Sequence, residues 1–235
     1  MGSGRHSGSR FPLPASRMLS STSAHRRGRL KEHGTTPTLT PKFNEALLYA
    51  GEVHGRQRRK GSGIPFLAHL LGVAAIVLED GGDEEEGIGA LLHDAVEDHP
   101  RRGATEREIL ERFGPRVHRI VMGCTEPDPH ALDHGIKGPW EDRKRRYIEH
   151  LRTAADASVL RVATADKLYN ARSIINDMRI VGDDVWSRFS VPREKTLWYY
   201  KTVTEALRAA PGSPTRLVRE LGGIVAALER GVQRL

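Results

Sequence analysis

From about residue 40 onward, apolar residues return every three or four positions, and there is almost no two-residue alternation of the kind a half-buried strand needs. This pattern predicts an all-α domain. Thr40 before Pro41 reads as an N-cap and a first-turn proline, opening a helix through about Gln57 with Leu47, Leu48, Ala50 and Val53 inward. A Gly-rich loop, KGSGIP, follows at 60–65. A second helix over 66–79 then carries a stripe of Leu67, Leu70, Leu71, Ala74, Val77 and Leu78, with His69 beside it, and stops at Gly81-Gly82. The acidic run Asp83–Glu86 suits the positive end of a third helix, expected to run unbroken to about Asp98 over Ile88, Leu91, Leu92 and Val96. Thr105 with Glu108 reads as a capping box for a short helix ending at Gly114, and Pro115 opens another through Met122. Residues 124–138 read as an irregular loop. Further helices are predicted over 139–152, 157–177, 192–209 and 214–231, each opened by a proline or a small polar cap.

Charge divides the chain unevenly. Through residue 42 there are six arginines and two lysines against Glu32 alone, so this stretch accounts for the whole formal charge of +7. The remaining 29 basic and 29 acidic residues balance, and the high isoelectric point belongs to the N-terminal stretch. Residues 1–39 therefore read as a disordered basic tail, rich in Ser and Arg and without the apolar core of a secretory signal, and 40–235 as one helical domain. A nucleic-acid partner would have to bind through that tail, which makes it an unfavoured expectation. Every apolar run is interrupted by charge well short of the ~20 residues that span a bilayer, so no membrane partner is expected. One cysteine, Cys124, excludes an internal disulfide, reads as a core thiol and fits a cytoplasmic protein.

The chemistry concentrates in LLHDAVED, residues 91–98, where four ionisable side chains lie on a helix otherwise made of Leu, Ala and Val. Burying them is costly unless something neutralises them. His93 and Glu97 are four apart, as are Asp94 and Asp98, so the four share roughly one sector, with Glu97 and Asp98 a turn beyond His93 and Asp94. A divalent cation is the natural compensation, since imidazole and carboxylate together suit Mn, Fe or Zn. Downstream, SVLRVATADKLYNARSI buries Leu160, Val162, Ala163, Leu168 and Ile174 while Asp166, Asn170 and Ser173 form a polar line at i, i+4 and i+7. The competing reading of Asp166 is an ordinary ion pair with Arg161 or Lys167.

In order and approximate spacing, His69, His93-Asp94 and Asp166 resemble the H…HD…D pattern of the HD phosphohydrolase superfamily. KGSGIPFLAH, LLHDAVED, Phe113-Gly114 with Val117, and ADKLYNARS together resemble the hydrolase domain of RelA/SpoT proteins and the small alarmone hydrolases, over roughly residues 43–205. That resemblance implies an HD-domain multi-helix bundle with His69, His93, Asp94 and Asp166 as ligands of Mn2+ or another divalent metal. It makes Glu97 and Asp98 the pair that orients and activates water, and puts Lys60, Ser62, Asn170 and Ser173 at the nucleotide. The chain departs from the family at Lys60, where Arg is frequent, at His99, where Thr is, and at Lys167, where Arg is. Arg stacks and chelates as Lys does not, which bears on recognition of the base.

The implied reaction is metal-dependent removal of the 3′-pyrophosphate of (p)ppGpp, giving GDP or GTP; the alternative keeps the metal and changes the substrate to another nucleotide such as ppApp or NADPH. Among Arg56, Arg58, Arg59, Lys60, Lys137, Lys144 and Arg193, Lys60 is the cation expected at the phosphates and the others are expected on solvated faces. Trp140, Trp198 and Tyr199 read as core side chains.

Overall fold

A computed structural model of the protein describes residues 38–98, 102–127 and 137–231, with Met1. The expected tail lies outside the described residues save for Met1 and residues 38–39, as does most of the loop expected at 124–138. The described residues contain helices and no strand; one isolated bridge, Arg58 with Pro65, pins the two ends of the Gly-rich loop together. All the helices belong to the compact unit Gly34–Leu235.

The helix starts follow from local chemistry. Helix α1 (Pro41–His54) begins where the Thr40 hydroxyl accepts the Lys42 backbone N–H at 3.2 Å. Helix α2 (Phe66–Glu79) ends at the left-handed Gly81, φ 83°. Helix α3 (Glu84–Leu92) opens on a reciprocal capping box between Asp83 and Glu86. Helices α4 (Ala95–Asp98), α5 (Arg102–Phe113) and α6 (Pro115–Cys124) follow, then α7 (Trp140–Thr153). The 25-residue α8 (Ala157–Val181) is capped by Asp156, whose carboxylate accepts the Ser158 N–H. A 3-10 turn, Gly182–Arg188, leads to α9 (Arg193–Ala209) and α10 (Thr215–Arg230). Helix α8 is the axis of the bundle, packing against α2, α3, α6, α9 and α10. Its first half is buried nearly all round, which places Asp166 deep in the protein.

Several local expectations need correction. Helix α1 stops at His54 rather than near Gln57, because Gln57 turns back to pair its side chain with His54 Nδ1 at 2.7 Å. Its inner face is Ala46, Tyr49, Ala50 and His54, leaving Leu48 69% exposed; Tyr49 packs on Phe113 and His54 on Phe66, and these larger rings set the rotation. The α2 stripe is rotated too, so that His69 lies within it and Leu71 points out. Helix α5 starts at Arg102, before the expected cap Thr105, which is an interior, buried residue. The third helix is not continuous: α3 and α4 are separated by a turn at His93-Asp94. There the His93 ring turns back and donates from Nδ1 to the Ala90 carbonyl at 2.8 Å.

Glu86 is 3% exposed and receives the Arg161 guanidinium of α8 on both carboxylate oxygens, at 2.7 and 2.6 Å. Arg161 also reaches Asp80, which holds Arg216 of α10, so one charged cluster ties α2, α3, α8 and α10. Glu86→Ala removes the bidentate partner of a partly buried Arg161 and leaves it the longer 3.4 Å contact with Asp80. The expected loss is about 2–3 kcal/mol of unfolding free energy, below the usual figure for a fully buried pair because Arg161 retains some solvent. Urea denaturation checks this, and an unchanged midpoint would show the pair to be idle.

Candidate metal centre and adjoining cavity

Three buried side chains, His69, His93 and Asp166, bring ligand atoms within 4.8 Å of one another, and Asp94 meets the two imidazoles at the edge of this group. His69 projects from the buried face of α2, His93 and Asp94 from the turn between α3 and α4, and Asp166 from the middle of α8. His69 Nε2 lies 3.3 Å from His93 Nε2, 3.3 Å from Asp166 Oδ1 and 3.6 Å from Asp94 Oδ2. His93 Nε2 lies 3.1 Å from Asp94 Oδ2 and 3.7 Å from Asp166 Oδ1. His69, His93 and Asp166 are buried and Asp94 is partly so.

This donor set fits a divalent cation. Ligand atoms held about 2.0–2.2 Å from one ion lie about 3–3.5 Å from each other, close to the 3.1–3.7 Å separations of the imidazole nitrogens from each other and from the carboxylate oxygens. His93 gives its Nδ1 proton to a backbone carbonyl, so its Nε2 carries the lone pair when the ring is neutral, the orientation metal-binding imidazoles adopt. Asp166 aims Oδ1 at both imidazoles while its Oδ2 takes the Lys167 ammonium at 2.6 Å. Asn170, one turn on, donates to Oδ1 at 2.6 Å. The ion pair with Lys167 therefore coexists with the convergence; it holds the carboxylate rather than replacing the metal reading.

The electrostatics agree. Burial opposes charge on His93, but Asp94 and Asp166 outweigh it and hold the imidazole proton well above the usual histidine range. Burial likewise opposes charge on the two carboxyls. The imidazoles facing Asp94, and Lys167 with His93 beside Asp166, keep both below the usual carboxylate range. Each partner wants charge of the opposite sign, which a cation would supply in place of the imidazole protons.

Helices α2 and α8 touch closely here. A Cβ on Gly72 would lie 2.0 Å from the Tyr169 ring, so only glycine lets α8 come near enough for Tyr169 to stand edge-on to His69 at 5.1 Å. Phe66 covers the other side of the His69 ring at 5.3 Å. The two rings fix the imidazole plane.

A cavity of about 310 Å³ adjoins the cluster, reaching from His69 and Asp94 past Lys60, Ser62, Asn170 and Ser173. All four residues expected at a nucleotide thus line one space. Lys60 is exposed there, while Ser173 returns its hydroxyl to the Tyr169 carbonyl at 2.9 Å. Arg59, expected on a solvated face, lines the cavity too: its guanidinium donates to Asn170 Oδ1 at 3.0 Å and lies 5.3 Å over the Tyr169 ring. A planar cation is therefore present beside Lys60 rather than at it. The weak signal for this was the doubled basic pair itself.

Glu97 sits in α4, one turn beyond His93 and Asp94, 2.8 Å from the Lys137 ammonium and facing the backbone N–H of Glu126 at 3.4 Å. The side chain of Asp98 and the whole of His99 lie outside the described residues. Glu126, which the sequence did not single out, is a buried acid paired with both Arg143 and Lys144. Lys144 and Arg193, read as solvated, both make ion pairs, the latter with Asp183 at 3.5 Å, whereas Arg56 and Arg58 are exposed as expected. Trp140 and Trp198 pack on the core and Tyr199 is buried in it; Trp140 and Tyr199 also line a second cavity of about 280 Å³ with Lys144, Lys167 and Asn170. Cys124 is buried, and burial pushes its thiol up, so it is an inert core group.

Among the described residues no helix is long and apolar enough to cross a membrane. The family model described as "HD domain" matches residues 46–192. A guanosine-3′,5′-bis(diphosphate) 3′-pyrophosphohydrolase, MESH1, of Xenopus tropicalis is 34% identical over 75% of this chain and 89% of its own length. A guanosine-3′,5′-bis(diphosphate) 3′-pyrophosphohydrolase of Aquifex aeolicus is 36% identical over 59% of this chain, which spans only 18% of that longer relative. A solved structure of a metazoan ortholog of SpoT, described as hydrolysing ppGpp, superposes with a TM-score of 0.63 at 26% identity, covering 82% of this chain and 97% of that one.

Proposed function

Because the chain belongs to the HD-domain family, we propose that it is a metal-dependent phosphohydrolase that removes the 3′-pyrophosphate of (p)ppGpp, yielding GDP or GTP and pyrophosphate. The observation that carries this reading is the meeting of His69, His93 and Asp166, with Asp94 alongside, next to a cavity of about 310 Å³ that His69 and Asp94 help to line. Mn2+ suits the mixed imidazole and carboxylate donors. When bound, the ion supplies a water of lowered pKa and neutralises phosphate charge.

The protein's own groups do the rest. Glu97 and Asp98, one turn beyond the ligands, orient the attacking water and accept its proton. Lys137 beside Glu97 fixes that carboxylate on one side. Asn170 serves twice, steadying Asp166 with its amide N–H and holding Arg59 with its carbonyl. Arg59 and Lys60 then meet the substrate's phosphates or base plane, Arg59 already held flat above Tyr169. Ser62 and Ser173 offer hydroxyls along the same wall.

Incubation of the full chain with ppGpp and Mn2+ tests the proposal. The expected products are GDP and pyrophosphate in equal amounts, with turnover stopped by EDTA and restored by added Mn2+. Orthophosphate as the sole inorganic product, or turnover indifferent to chelation, would overturn it.

A further inference from the structure

The cavity beside the metal centre has a second end. The polar line Asp166, Asn170, Ser173 continues at i+11 to Asp177, so one face of α8 carries it about 16 Å from the first aspartate to the last. At that far end Asp177 Oδ2 is 2.5 Å from Arg188 Nη1, an ion pair made by α8 and the 3-10 turn that follows it. Both side chains line the cavity, and Phe66, Ile174, Val185 and Phe189 form its apolar walls. The Gly-rich loop closes over the pair: a Cβ on Gly61, which has φ 74°, would lie 2.3 Å from Arg188 Cγ.

We propose that the Asp177–Arg188 pair reads the edge of the nucleotide's base and selects guanine over adenine, an inference that rests on the phosphohydrolase reading above for its substrate. A carboxylate beside a guanidinium, in a cavity also lined by Phe66, Ile174, Val185 and Phe189, matches a purine edge that has two donors beside an acceptor. Guanine has N1–H and the N2 amino group for the carboxylate and O6 for the guanidinium. Adenine turns the unprotonated N1 toward the carboxylate instead, leaving two acceptors face to face. Arg188 holds one side of Asp177, whose side chain is a third exposed and lines the cavity, so it is aligned before any ligand arrives. The metal cluster at the opposite end fixes the phosphates, which gives the base one direction in which to lie.

The test pairs binding with kinetics in the full chain. GDP and ADP share the 5′-diphosphate and differ in the base, so calorimetric titration of each isolates the edge contact. GDP is expected to bind at least tenfold more tightly than ADP, and Asp177→Asn to erase that preference by weakening GDP while moving ADP less than about threefold. The same substitution should raise KM for ppGpp about tenfold or more, with little change for ppApp. Equal losses for both bases would overturn the proposal, since they would place a 5′-phosphate at this end or reduce the pair to a structural tie; absence of any base preference in the unaltered protein would overturn it as well. If Asp177→Asn proves unstable because Arg188 is left alone, Asp177→Asn combined with Arg188→Met removes both charges and must show the same loss of preference. Guanine-selective binding without ppGpp hydrolysis would separate the two proposals: the edge reader would stand and the assigned reaction would fall.

Discussion

Replacing Asp94 by Asn should reduce kcat/KM for ppGpp by at least a thousandfold and weaken Mn2+ binding by more than a hundredfold, while leaving the fold intact. The magnitude follows from what Asp94 does. It is the least buried of the four convergent side chains, with its Oδ2 3.1 Å from His93 Nε2 and 3.6 Å from His69 Nε2. Asn preserves the shape and removes the anion. The two imidazoles and Asp166 are then left to hold a dication with one negative charge, which Lys167 already partly neutralises. Loss of a partner that merely orients a ligand costs ten- to a hundredfold in affinity, so loss of a ligand should cost more. Manganese electron paramagnetic resonance measures binding and thermal unfolding measures the fold. Near-normal turnover with unaltered manganese affinity would remove Asp94 from the centre and the proposed function with it.

Glu97→Gln is expected to behave in the opposite way: the metal stays and catalysis goes. A positioned general base contributes about 10²–10⁴-fold, so kcat should fall within that range while Mn2+ affinity changes less than about threefold. The amide keeps the volume of the carboxylate, and the Lys137 partner it forfeits is half exposed and costs little. Stopped assays on metal-loaded protein would show the split. A kcat within tenfold of the parent would assign the proton to Asp98 alone, and loss of metal would make Glu97 a ligand.

Much of this site could be read from the letters, for a physical reason. A helix that carries Asp166 among buried apolar positions violates the ordinary cost of desolvating polar groups, and that violation is visible as soon as the apolar periodicity is drawn; His69 was expected beside the α2 stripe and lies within it. What periodicity does not encode is how helices rotate about their axes. The α1 and α2 faces were each misplaced by a residue or so, because bulky Tyr49 and the His54–Phe66 contact, rather than the count of leucines, decide which side turns inward. The break at His93 was equally hidden, since nothing in LLHDAVED breaks a helix by propensity; the ring's bond to the Ala90 carbonyl is a local side-chain-to-backbone contact that propensity does not encode. Convergence of the three helices came from the family resemblance and not from spacing.

The residues that were missed share a cause. Arg59 looked like any surface arginine until the loop 60–65 folded back and the Arg58–Pro65 bridge turned it over Tyr169. Asp177 was the last residue of the helix expected over 157–177 and stood beyond the polar line of Asp166, Asn170 and Ser173, and Arg188 belongs to a 3-10 turn whose sequence, GDDVWSR, has no helical periodicity long enough to notice. Each acquires meaning only through a neighbour distant in the chain.

Gly72 has a consequence of its own. At Gly72 the backbone of α2 meets the Tyr169 ring of α8 with no Cβ between them, three residues on from His69 and Asp166 respectively. If the proposed ion sits between those two ligands, that contact would act as a gauge of nearly fixed width, so discrimination among cations of different radius would be set by the helix contact as well as by the choice of donors.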